Sequence, residues 1–160
     1  MEARWIPTGR WYHEAVMETE AMGKVLVEAK VENVMDLYLA RNGAITESDI
    51  RRVEVASALV DTGATTLAMP AAMIRQLGLE PLRTRQARTT AGLVTLKVHG
   101  AARLTIQGRD CTVDVSEVPD DCPVLIGQDP LELLDFIVDP GRQRLIGNPE
   151  HGGEQMLEMF

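Results

Sequence analysis

Aromatic side chains are scarce in this chain, at 4% of 160 residues, while hydrophobic residues reach 45%. A core is affordable, but it has to be assembled from Val, Leu, Ile, Ala and Met. Two cysteines, Cys111 and Cys122, are too few for a disulfide framework, and neither stands in a CxxC pair. The histidines His13, His99 and His151 lie far apart. That spacing argues against a structural zinc site, which draws four N or S ligands from close positions. No metal and no cofactor are expected. Basic charge is also short: 16 Lys and Arg against 24 Asp and Glu leave a net charge of -8. Such a field repels a nucleic-acid backbone or an anionic membrane, so neither partner is expected. No apolar run approaches the roughly 20 residues of a membrane span, and no apolar signal segment follows a basic start. The expectation is a soluble protein of a reducing compartment, the cytoplasm.

The length suits one domain. Residues 1–22 hold both tryptophans, Trp5 and Trp11, without strand alternation, and read as an N-terminal arm or as residues ahead of a start at Met22. Residues 23–149 have a β texture. "KVLVEAKVEN" sets Val25, Val27, Ala29 and Val31 against Lys24, Glu28, Lys30 and Glu32, the pattern of a half-buried strand. "MDLYLARNGAITESDI" reads as a polar, Gly-containing connection with room for one helical turn, and "RRVEVASALVD" as a strand that ends apolar on both faces. After Pro70 a short helix is predicted, stopped at Gly78 and Pro81, with Ala72, Met73, Leu77 and Leu79 inward. Strands punctuated at Ala91-Gly92, Gly100-Ala101 and Gly108-Arg109 follow. A second short helix is expected behind an Asp129-Pro130 cap, then a hairpin across Asp139-Pro140-Gly141. Residues 150–160 form a tail whose Met156, Leu157, Met159 and Phe160 suit an interface. The body is thus all-β with one or two short helices.

One stretch concentrates the chemistry. In "SALVDTGATTLAMP" an apolar strand delivers Asp61 into a turn made by Thr62 and Gly63. Gly63 allows dihedrals that a Cβ would block and lets a second backbone come close. A lone carboxylate hydrolyses amides poorly, whereas two about 3 Å apart share one proton, as in the aspartic-protease dyad. One then acts as base on water while the other protonates the carbonyl. None of Asp114, Asp129, Asp135 and Asp139 is followed by Thr-Gly or Ser-Gly. The later "PVLIGQDPLELLD" repeats the pattern of strand, Gly turn and helix, but carries Leu125 and Ile126 where the acid would stand. A second copy of the chain, related by a two-fold axis, supplies the missing partner.

"ALVDTGATTLAMP", the glycine-tipped "TTAGLV" and "VLIGQDPLELLDFIVDP", in that order between about Gly23 and Pro149, resemble the retropepsin-like aspartic proteases, specifically their bacterial members. The resemblance implies a closed β-barrel or sandwich forming half of a homodimer that cleaves polypeptides. It makes Asp61 the catalytic acid, with Thr62 locking the two loops together. Gly63, Ala64 and Thr65 then align substrate. Thr90, Ala91 and Gly92 become a flap tip, and Leu93 and Ile126 apolar pockets. Leu125, Ile126 and Gly127 become a second loop supporting the first. Retroviral members pair an acid with an arginine at the positions held here by Thr65 and Gln128, so a neutral hydrogen bond is the expected substitute.

Two other readings fit part of the pattern. Apolar-Asp-x-Gly-x-Thr also occurs in phosphate-binding folds of the actin and sugar-kinase kind, but those need two lobes and more glycine loops than this chain has. A catalytically silent retropepsin-like module, used for dimerisation or peptide binding, would keep the fold without the activity.

Overall fold

The structure, a computed structural model, describes residues 24–89 and 92–159. The expected N-terminal arm, the flap residues Thr90 and Ala91, and Phe160 lie outside the described residues. Strand β1 (Val25–Asn33) pairs antiparallel with β2 (Arg52–Val60), and the alternation read from its sequence holds through Val31, which is fully buried. Strands β3 (Leu67–Pro70), β4 (Glu80–Thr89), β5 (Gly92–Ile106), β6 (Arg109–Val118) and β7 (Leu125–Ile126) complete one sheet in the order β1-β2-β7-β3-β6-β5-β4. Because β1 also pairs with β5, the sheet closes into a ring. Leu67, Met69, Leu104, Ile106 and Ile126 fill its interior. Among the described strands of this sheet, β4 lies outside the ring, paired to β5, and β8 (Phe136–Asp139) and β9 (Arg144–Gly147) form the expected separate hairpin.

Several local expectations are corrected. The polar connection after β1 folds into helix α1 (Val34–Arg41), capped by the Asn33 side chain, and a short 3-10 turn follows. Its buried residue is Asp36, bound by the Arg51 guanidinium at 2.8 Å and the Arg51 amide at 2.9 Å. No apolar stripe marks this helix, so periodicity could not reveal it. In helix α2 (Ala71–Leu77) Ala72 is exposed and Ile74 takes the core position, while Gly78 ends the helix at φ +65° as predicted. Gly100-Ala101 is no turn: β5 runs through it, with a register shift between His99 and Ala102. Helix α3 (Gln128–Leu133) is capped at Gly127, two residues before the expected Asp129.

Glu32, read as outward-facing, is buried. It pairs in register with Arg52 on β2 and Arg103 on β5, where the ring closes. Arg103 reaches it at 2.7 Å, Arg52 at 3.2 Å and Lys30 at 3.7 Å. Burial by itself raises the carboxyl's pKa, but the Arg103 hydrogen bond and the three cations together hold it below the usual value. His99 has both ring nitrogens buried without a hydrogen-bond partner.

The tail folds back. His151 Nδ1 lies 2.6 Å from Asp135 Oδ2, the same oxygen that accepts the Met156 amide at 3.0 Å. The Asp135 hydrogen bond raises the His151 pKa, helped by Glu158, and the same His151 contact lowers that of Asp135. Burial pushes the Cys111 thiol up to about 11 and the Cys122 thiol up to about 12, each assisted by a neighbouring Asp, so both stay protonated at neutral pH.

Candidate active site

Asp61 is placed by the sheet rather than by the loop that follows it. Leu59 and Val60 pair in parallel with Leu125 and Ile126. The Leu59 amide donates to the Val124 carbonyl at 2.9 Å, and the Asp61 amide to the Ile126 carbonyl at 3.0 Å. The last backbone group held by this ladder therefore belongs to the acid itself. Beyond it the chain turns at once: the Ala64 amide donates to the Asp61 carbonyl at 3.0 Å, and the Gly63 amide to Asp61 Oδ1 at 2.9 Å. The carboxylate is half-buried, with Thr62 and Gly63 exposed beside it. Gly63 does not adopt a left-handed φ, contrary to the expectation for it; what it contributes is this amide.

The second Gly loop supports the first through three backbone bonds. Amides of Gly127, Gln128 and Asp129 donate to the carbonyls of Thr66 (3.0 Å), Ala64 (2.8 Å) and Thr65 (2.9 Å). A Cβ on Gly127 would stand 2.6 Å from both the Thr65 carbonyl carbon and the Thr66 oxygen, so only glycine permits this approach. The substitute expected between the Thr65 and Gln128 side chains takes another form: backbone joins the loops, and the Gln128 side chain donates to Glu132 at 3.0 Å.

An open groove of about 410 Å³ runs beside this loop pair. Gly63, Ala64 and Thr65 line one wall, and the β4–β5 hairpin the other through Arg85, Leu96 and Val98. Ile126, expected in a pocket, is fully buried and braces the loop from the core, while its neighbour Leu125 reaches the groove. Leu93 is exposed, but strand alternation puts it on the opposite face of the hairpin from Leu96 and Val98. The inward set Val94, Leu96 and Val98 was open to a reading of "LVTLKV" by twos, which identifies the groove face that the motif-based reading missed. Gly92 opens β5 at φ +118°. Among the described residues no group of three His, Cys, Asp or Glu could hold a metal ion, and no helix is long and apolar enough to cross a membrane.

The family model described as gag-polyprotein putative aspartyl protease matches residues 46–132, more than half of the chain. The chain belongs to this retropepsin-like aspartyl protease family. The matched span begins ahead of β2, contains Asp61 and both Gly loops, and ends within α3. The closed all-β ring agrees with that fold. No curated protein matches the chain.

Proposed function

We propose that the chain is an aspartic endopeptidase that works as a homodimer, with Asp61 of each copy meeting across a two-fold axis. One observation carries the reading: a half-buried carboxylate stands at the exact end of a sheet ladder, on a loop immobilised by three backbone bonds, beside an open groove. That arrangement spends its rigidity on one acid and gives it no cationic partner among the described residues. A turn-forming Asp would need only the Gly63 amide. A general acid-base pair needs fixed position and access to substrate; the ladder and loop bonds support the first, and the groove beside Gly63, Ala64 and Thr65 supports the second.

In the proposed reaction a water between the two carboxylates is deprotonated by the ionised Asp61 and adds to the scissile carbonyl. The protonated Asp61 donates to the carbonyl oxygen, giving a neutral diol. Collapse returns a proton to the leaving nitrogen and releases acid and amine. The peptide lies extended, pairing its backbone with the hairpin strands. Glycines at 63 and 92, with Ala64 and Thr65, leave room for it, and the tail of residues 150–160 is a proposed dimer contact. Thr65 and Gln128 in place of a charged pair support a place among the bacterial members rather than the viral ones.

The deciding experiment measures cleavage of an unfolded protein across pH by the native chain and by Asp61→Asn, alongside mass in solution. Cleavage by the native dimer alone is expected. Equal inertness of two dimeric proteins would instead favour a silent binding module.

A further inference from the structure

The groove carries a charge that the chain's composition does not suggest. Within a protein of net charge -8, the described lining of the 410 Å³ groove contains no acid, yet contains arginine from β4. The arginines there are not equivalent. Cross-strand register sets Arg83 against Val98, Arg85 against Leu96 and Ala87 against Val94. These pairs share the hairpin face that looks into the groove, since paired residues lie on the same side of a sheet. Arg83 is neutralised by Asp114 of β6. Arg88 also lines the groove, but its register against Leu93 puts it on the other face of the hairpin by strand alternation. Arg85 alone is both inward and, among the described residues, without an ion pair or side-chain hydrogen bond.

Its surroundings explain why that matters. The neighbouring groove wall is Ala64, Leu96 and Val98, and the nearby hydroxyls of Thr66 and Ser116 bond each other at 2.9 Å. A smaller cavity of about 220 Å³, which shares Thr66, Arg85, Val98 and Ser116 with the groove, includes Asp114, already paired, and Asp129, which makes no ion pair with Arg85. A planar guanidinium exposed in a groove whose other polar lining is neutral apart from Arg88 offers two parallel donors and no acceptor, a geometry matched by a carboxylate. A peptide filling the groove would shield this charge from water and strengthen any pairing with it.

We infer that Arg85 is a specificity-determining residue that receives an Asp or Glu side chain of the substrate close to the scissile bond. This deepens the endopeptidase reading and rests on it for the word substrate. The binding part stands separately: the groove selects extended peptides that combine apolar residues with an acid facing Arg85 of either copy.

The test uses apolar-centred octapeptides in which Glu or Gln is placed at each position in turn. Affinity is read by fluorescence anisotropy on the full chain carrying Asp61→Asn, and turnover on the native chain. At one position in each half of the peptide, related by the two-fold axis, the Glu peptide should bind about 10-fold tighter than its Gln twin, the low end for a hydrogen bond to a charged group. Adding Arg85→Ala should bring that ratio near one, and Arg85→Glu should shift the preference to a Lys peptide. Arg88→Ala should keep the ratio. Equal binding of Glu and Gln peptides at every position, no binding of either, or collapse of the ratio in Arg88→Ala instead, overturns the inference. Selective binding with no turnover by the native chain would defeat the endopeptidase reading and leave the Arg85 assignment standing.

Discussion

Gly127 and Thr65 approach so closely that a Cβ on the glycine would lie 2.6 Å from the Thr65 carbonyl carbon. The contact is backbone to backbone, so no side chain can swing aside to relieve it. Two loops far apart in sequence are thereby clamped, and the loop bearing Asp61 inherits the rigidity.

Gly127→Ala should force these loops apart. Overpacking of this kind typically costs about 1–3 kcal/mol. The expected result is an unfolding free energy from urea titration lower by that amount, with proteolysis falling further than stability alone explains, because Asp61 shifts with its loop. A variant as active and as stable as the native chain would remove the clamp from the account.

Removing Arg103 should expose the cost of the buried Glu32. Its carboxyl sits below the usual value in the folded chain, so its stabilisation is present above the unfolded pKa of about 4.3 and is lost as pH falls through the folded value. Arg103→Met leaves Arg52 and Lys30 in place, and Arg103 is itself partly exposed, so a loss of about 1–2 kcal/mol at neutral pH is expected. The native chain should lose stability steeply below pH 4 and the variant less steeply, a difference read from denaturant midpoints across pH.

The His151–Asp135 contact should weaken in the opposite direction. His151 titrates above its ordinary value, so its contribution is complete below the unfolded pKa of about 6.5 and disappears as pH rises through the folded value. Between pH 6 and pH 9 the native chain should lose stability that His151→Gln never had, and the two midpoints should converge at the alkaline end. A constant gap across that window would mean that the imidazole acts by packing rather than by charge.

The sequence made some of this legible and hid the rest for physical reasons. Asp61, the paired Gly loops and the alternation of β1 could be read because each rests on local residue identity: an acid beside a turn, glycines at close approaches, period-two burial. Helix α1 was hidden because its buried residue is Asp36, satisfied by Arg51 from across a loop. Glu32 looked solvent-facing because its cations arrive from β2 and β5, which only the closed ring brings together. Ile126 and Leu93 were set in pockets by motif position, whereas burial and strand parity decide which side chains reach the groove. Long-range pairing is what a single strand's pattern cannot express.

Subunit mixing offers the sharpest test of a shared site. If catalysis needs one Asp61 from each copy, equal amounts of native and Asp61→Asn chains, allowed to exchange, leave only about a quarter of dimers with both acids. Activity should therefore fall to roughly a quarter rather than a half, and Asp61→Asn alone should retain no more than about one hundredth, the low end for losing a general acid-base. The remaining activity should keep the native bell-shaped pH profile, because a single proton held between two carboxylates gives an acid limb and a basic limb that belong to the pair. A fall only to one half would mean that each chain cuts alone, with one Asp61 sufficient, and the two-fold arrangement would have no catalytic part to play.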